Sequence, residues 1–419
     1  MILEHYSPNL LTIIGAVIIV AFLGSKIFQR FGSPQVVGFI VMGVLLGSSF
    51  LNVIDPEMIE KLSYINHIAL GLIGFDMGSH LRLHELSKLR RSLLFILLFE
   101  AIGTFLLVTA GIYAITHSLH TSLIFGALAS ATAPAATVDV LAEFDAKGPL
   151  TTSILAVVGL DDAIALLLYS ISAAFAETLL SGTESFTIIE IFKVPVFEII
   201  GSIGVGVILG YFLDIILCRM KNHHDAMAIS IAVVLVAVGV SQVFGFSLIL
   251  STMILGTIIV NRCEEHGKFI RYTIEQAGPV IYVLFFALVG ARFQISLLPS
   301  MGLLGIAYIL LRSFGKFTGA WLGGKLGNAD PAVTKNLGFG LLSQAGVAIG
   351  LAIDASNRFS LYGDTGAALG RLVISVITAT TFIVQIIGPI FVKFAITRAG
   401  EIGKAKMTDD VWASEGSPQ

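Results

Sequence analysis

Charge is scarce in this chain of 419 residues: Asp, Glu, Lys and Arg together make up 13%, against roughly a quarter in an ordinary soluble domain. With 56% of residues hydrophobic and a net charge of −3, a large soluble domain is excluded and nucleic acid is not expected as a partner. Cysteine is nearly absent. Cys218 and Cys263 are the only two, both in loops assigned below to the cytoplasmic side, so no disulfide framework is expected. The first apolar run, 10–28, lacks a basic leader and a small-residue cleavage site, and reads as a retained helix rather than a signal peptide. No nucleotide-binding fingerprint follows the last apolar run, and the segment after Lys393 is short and polar.

Long apolar runs are abundant instead, and so is glycine, at 43 residues. A helix needs about 20 apolar residues to cross a hydrocarbon core of about 30 Å. Parsed on that length, the sequence predicts thirteen transmembrane helices, at about 9–28, 34–51, 61–79, 92–116, 120–144, 149–175, 190–218, 225–244, 246–261, 275–292, 300–323, 333–354 and 367–396. The fold class is therefore an all-α polytopic membrane protein, with the lipid bilayer as its solvent. Basic residues test this parse. Lys26, Arg30, Arg90, Arg91, Arg219, Lys221, Arg262, Lys268, Lys393 and Arg398 fall on one side, whereas Lys61, Lys193, Arg292, Arg358 and Arg371 are all that the other side receives. Such asymmetry places the N-terminus outside and the C-terminus in the cytoplasm, which requires an odd number of spans.

Two spans carry interruptions at mid-depth. The fifth contains Ala131-Thr132-Ala133-Pro134-Ala135-Ala136-Thr137, and Pro134 has no N–H to give its helix. The twelfth contains Ser343-Gln344-Ala345-Gly346-Val347-Ala348-Ile349-Gly350. Backbone groups freed there need protein or a water-lined cavity as partner. The two spans are seven apart and so cross in opposite directions, the pattern expected of a six-plus-six inverted repeat with the seventh span as linker. Gly206/Gly210 and Gly315/Gly319/Gly323, spaced by four, read as helix-packing ridges.

Asp161 and Asp162 stand side by side within the apolar run 152–174, roughly 15 Å along the sixth span and so near the bilayer midplane. Each carboxylate there costs roughly 2.5–3.5 kcal/mol on insertion scales, which points to an ion site or a proton relay. Successive residues on a helix diverge by about 100°, so one aspartate can hold an ion while the other is neutralised by a base. The candidate bases are Arg312 and Lys316, one turn apart on the eleventh span. Of these, Lys316 is the better switch, because an ammonium loses its proton more readily than a guanidinium. Asp76, near the end of the third span, either lines an inward cavity or is simply solvated. Glu100, about nine residues into the fourth span and deeper, could also line an inward cavity but is read as an ordinary acid of a cytoplasm-facing helix end, and His223-His224 as a wet loop pair.

Four pieces together, Ser130-Ala-Thr-Ala-Pro-Ala-Ala-Thr137, Gly159-Leu-Asp-Asp-Ala163, Arg312-xxx-Lys316-xx-Gly-Ala320 and Ser343-Gln-Ala-Gly346, resemble the monovalent cation:proton antiporter family of the cation:proton antiporter superfamily, in its paired-aspartate branch. The resemblance covers the chain from about Leu10 to Phe394. It implies a homodimer in a bacterial inner membrane that exchanges Na⁺ or Li⁺ for protons by an elevator motion, electrogenically, with no cofactor beyond the transported ions. It further implies cation binding at Asp162, aided by Asp161 and the chain around Thr132, and an Asp161–Lys316 salt bridge that breaks as the cation arrives. Ala131, Pro134, Gln344, Gly346, Arg312 and Asp76 are supporting candidates. On this reading 1–91 and 179–299 form the dimerising scaffold with the linker helix, 92–178 and 300–397 form the core, and 398–419 is a short tail. Two departures stand out: Gly-Phe-Asp76 replaces the family's frequent Gly-Leu-Glu, and the Gln-Gly-Glu of glutathione-gated potassium efflux members is missing from the twelfth span. Rival readings are a K⁺/H⁺ antiporter of the same fold, an intramembrane aspartyl protease, an organic-solute permease and a channel. A protease would need Gly-x-Gly-Asp where Gly159-Leu160-Asp161 stands, the acids argue against the permease, and Lys316 against a cation channel.

Overall fold

A backbone in hydrocarbon has no water to bond, so a chain this apolar satisfies its amides within helices. The computed structural model describes residues 10–181, 188–220, 223–262, 264–293, 295, 299 and 302–405. Among these residues sixteen helices form: α1 (Leu10–Arg30), α2 (Gln35–Leu46), α3 (Pro56–Lys61), α4 (Ser63–His80), α5 (Leu83–Thr116), α6 (Leu119–Ser130), α7 (Pro134–Glu143), α8 (Pro149–Ser181), α9 (Ile188–Leu217), α10 (His223–Phe244), α11 (Leu248–Arg262), α12 (Glu264–Ala291), α13 (Gly302–Leu326), α14 (Pro331–Gly340), α15 (Gly346–Phe359) and α16 (Gly363–Ala399). Seven of the described helical stretches are long and apolar enough to cross a membrane. Cys263 and the tail after Ala405 lie outside the described residues, as do the side chains of His223 and His224.

Several helices outrun their apolar segments. The fourth expected span begins at Leu83 rather than near 92, and the tenth at Glu264 rather than near 275. Apolarity marks where a helix meets lipid, whereas the hydrogen-bond ladder continues through polar turns such as 84–91. The second expected span is shorter, ending at Leu46, because Gly47 leaves the helix for an extended conformation and bridges to Ile54. Before the third, Asp55 caps a separate short helix, α3, by accepting from the Met58 amide at 2.7 Å.

Two packing groups result. In one, α13 lies along α5, α6 against α5 and α8, and α16 against α14 and α15. In the other, α11 packs on α4 and α9, and α12 on α2 and α4. Both use glycine to bring backbones together. A Cβ on Gly319 of α13 would fall 2.5 Å from the Phe99 carbonyl oxygen and 2.6 Å from Glu100 Cα. One on Gly43 of α2 would fall 2.0 Å from the Ala287 carbonyl oxygen of α12. The expected ridges at Gly206/Gly210 and Gly315/Gly319/Gly323 are such contacts, against α11 and α5 respectively.

The turn after α16 holds the helix that carries the aspartate pair. Glu401, 2% exposed, accepts from the Leu150 amide (2.8 Å), the Thr151 amide (2.7 Å) and the Thr151 hydroxyl (2.6 Å). The two amides are orphan donors of the first turn of α8, where a carboxylate also meets the positive end of the helix dipole.

Candidate functional site

The two interruptions expected from sequence are gaps between half-helices. α6 stops at Ser130 and α7 restarts at Pro134, whose missing N–H costs nothing at a first helical position. α14 stops at Gly340 and α15 restarts at Gly346. The gaps meet: the Ala133 amide donates to the Ser343 carbonyl at 2.9 Å. Two helix C-termini, each with unbonded carbonyls and partial negative charge, therefore converge in a buried place.

Arg312 and Lys316, both 0% exposed, satisfy these carbonyls. Arg312 donates through Nη1 to Leu342 O at 2.6 Å, and through Nη2 to Ala131 O at 2.8 Å and Ser343 O at 3.1 Å. Lys316 Nζ donates to Ser130 O. Gln344 adds a cross-tie: its amide nitrogen donates to Leu128 O at 2.8 Å and lies at the same distance from the Tyr308 hydroxyl. Among the described residues Arg312 has no carboxylate partner, so its role is to hold the crossing together.

Lys316 is different. Its ammonium lies 2.9 Å from Asp161 Oδ2 and 2.7 Å from Glu100 Oε2, with all three side chains fully buried. The same Asp161 oxygen accepts from the Thr132 hydroxyl in the α6–α7 gap. Glu100 thus overturns its sequence reading as an ordinary acid of a cytoplasm-facing helix end. The glycine contact at Gly319 brings α5 so close to α13 that Glu100 faces Lys316 inside the bundle. The small-residue ridge was the one sequence signal that α5 packs this tightly; nothing in the sequence gave the register.

Asp162 is directed elsewhere, into a cavity of about 240 Å³ bounded by α8, α9, α11, α15 and the turn before α11. Its Oδ1 is buried without a hydrogen-bond partner among the described residues. Taken as ionised, Arg312 and Lys316 balance Glu100 and Asp161, and Asp162 is left over with one negative charge. An uncompensated buried carboxylate costs several kcal/mol, so the cluster calls for one more positive charge at Asp162, a proton or a cation.

Asp76 does not join this cluster. It lines a second cavity, of about 680 Å³, with His80, Asp139, Glu143, Asp145 and Tyr282, and its Oδ1 lies 3.5 Å from His80 Nδ1. This cavity opens beside the first turns of α8, the smaller one farther along the same helix. Gly159, which lines the smaller cavity, packs against Met253 and Met77, so that a Cβ there would fall 2.4 Å from the Met253 sulfur. Asp139 is a lining residue that the sequence reading does not include, although an acid within an apolar helix is subject to the same cost that singles out Asp161 and Asp162.

Known proteins share this architecture. The chain is 24% identical over 412 residues to the high-affinity Na(+)/H(+) antiporter NhaS3 of Synechocystis sp., covering 86% of this chain and 85% of that one. It is 22% identical over 340 residues to a Na(+)/H(+) antiporter of Enterococcus hirae, covering 80% and 86%. Its fold is similar to that of the sodium proton antiporter MjNhaP1 from Methanocaldococcus jannaschii, with a TM-score of 0.74 at 16% identity over 97% of this chain and 98% of that one. Residues 16–398, nearly the whole membrane-embedded chain, match the family described as sodium/hydrogen exchanger, transmembrane, and the protein belongs to that family.

Proposed function

We propose that the protein exchanges Na⁺ or Li⁺ for protons across a membrane, with Asp162 as the group that carries them. Behind this reading stands a formal charge count, two buried bases against three acids: Glu100 and Asp161 share Lys316, whereas Asp162 has no basic partner among the described residues and faces a cavity with an unpartnered oxygen. A proton or a hard monovalent cation completes the set, and one carboxylate cannot hold both. Binding of one expels the other, which is exchange. Asp161 and the Thr132 hydroxyl lie close by as further oxygen donors. An arriving cation competes with Lys316 for Asp161, while Glu100 keeps a counter-charge beside the ammonium.

In this reading the two half-helix pairs each count as one crossing, which with α3 left out gives thirteen spans and a six-plus-six inverted repeat. The segments 92–178 and 300–397 move as a core against 1–91 and 179–299 in an elevator motion, presenting Asp162 alternately to the two cavities. Electrogenic exchange, with more protons moved than cations, rests on the resemblance to the paired-aspartate branch. The crowding of Lys and Arg on one side supports an N-terminus outside and a C-terminus in the cytoplasm. A homodimer in a bacterial inner membrane rests on the family resemblance.

The test is reconstitution of the full chain into liposomes with a trapped pH dye. Adding Na⁺ or Li⁺ outside acid-loaded vesicles should raise the internal pH, with K⁺ as the competing arm, and an imposed membrane potential should change the rate. A pH that responds to no monovalent cation would refute the exchange reading. A rate indifferent to potential would refute the stoichiometry alone.

A further inference from the structure

The wall opposite Asp162 carries another acid. Glu198 lies about 15 Å from the first described residue of α9 by helix rise, in the apolar stretch Val194-Pro195-Val196-Phe197-Glu198-Ile199-Ile200. Val196, Phe197 and Ile200 are exposed on the outer surface of the bundle, whereas Glu198 and Ile199 line the cavity of about 240 Å³ that holds Asp162. The remaining lining is apolar or glycine except for Ser247, so Asp162 and Glu198 are its two carboxylates. No ion pair or side-chain hydrogen bond holds the Glu198 carboxylate among the described residues; only its backbone carbonyl is engaged, by the Ser202 hydroxyl at 2.6 Å. An acid kept at this depth without a structural partner, and turned away from the lipid-facing side of its helix, is costly unless it serves the cavity.

We propose that Glu198 is a transfer ligand for the monovalent cation, receiving it from water on the side where this cavity opens and passing it to Asp162. The inference rests on the exchange reading above. A water occupies about 30 Å³ of liquid, so the cavity has room for a cation that keeps part of its hydration shell. The buried, unpartnered Oδ1 of Asp162 gives such an ion somewhere to go. Since Glu198 belongs to the helix group that does not carry Asp162, it cannot travel with the cargo. It therefore acts on one membrane face only, the face reached by the end of α8 and the turn between α10 and α11. The chemical class is a hard cation taken by carboxylate and hydroxyl oxygens, with Ser247 as the neutral donor nearby.

Exchange by the reconstituted full chain should be measured separately from each face, in vesicle populations of known orientation. Glu198→Gln keeps the shape and removes the charge. At the face served by the smaller cavity the half-saturating Na⁺ concentration should rise about fivefold, the effect of losing an interaction of about 1 kcal/mol, with the maximal rate within about twofold. At the opposite face both should be unchanged, and Glu198→Asp should recover most of the loss. Equal shifts at both faces, or none at either, would overturn the proposal. An inactive wild type would refute the exchange reading and this inference with it, whereas an inactive Asp162→Asn beside an unaltered Glu198→Gln would refute the inference alone.

Discussion

The crossing of the broken helices and the seam between α2 and α12 meet the same difficulty, backbone brought close to backbone inside a membrane, by opposite means. At the seam, glycine removes the obstacle: Gly43 lies against Ala287, Gly47 against Ala291 and Gly290 against Ile40, each with a missing Cβ that would fall 2.0–2.5 Å from a carbonyl oxygen. The carbonyls of Ile40 and Ala287 lie inside intact helices and already have partners. At the crossing the helices end, and the open carbonyls of Ala131, Leu342 and Ser343 are held by a cation, Arg312. A seam closed by small residues leaves no polar group for a solute. A crossing closed by charge sets acids, bases and backbone dipoles around one point, where an arriving ion can displace one partner for another.

Breaking each side of this comparison gives outcomes of graded size. Asp162→Asn removes the charge that the balanced set leaves over, and Na⁺-driven proton movement in liposomes should fall to background while the protein remains folded. Arg312→Met strands the buried carbonyls of Ala131 and Leu342, while Ser343 O keeps the Ala133 amide; each unsatisfied acceptor costs about 1–3 kcal/mol, so the unfolding temperature in detergent should drop sharply and expression should suffer. Gly43→Val forces Cβ onto the Ala287 carbonyl oxygen; the overpacking should cost about 1–3 kcal/mol and lower the unfolding temperature more modestly, leaving the Na⁺ concentration dependence of surviving protein unchanged. Glu100→Gln is the mildest. Lys316 would then have Asp161 as its single anionic partner and hold it more tightly, so half-saturating Na⁺ should rise by about threefold, less than 1 kcal/mol. A Glu100→Gln effect as large as that of Asp162→Asn would mean that Glu100 itself handles the transported ion.

The same contrast explains what could be read without coordinates. Pro134 and the polar, glycine-containing stretch around Gln344 announce their gaps because helix breaks leave local marks. Asp161 and Asp162 announce themselves through cost, and a base on the same span as Gly315 and Gly319 was an evident partner. Glu100 was misread because its meaning depends on the register of α5 against α13, which no local pattern encodes. Glu198 and Asp139 carry a weaker sequence signal, since a single acid in an apolar helix bears half the cost of an adjacent pair. Helix ends were misjudged wherever polar turns continued past the lipid, as at 83–91 and at the start of α12.

One measurement bears most directly on whether cation and proton share Asp162: proton release when Na⁺ binds to the purified protein in weakly buffered detergent solution, in wild type and Asp162→Asn. The expected result is proton release that saturates with Na⁺, at a half-saturating concentration that falls as pH rises, and no release from the variant. Sodium binding without proton release in the wild type, or undiminished release from Asp162→Asn, would contradict it.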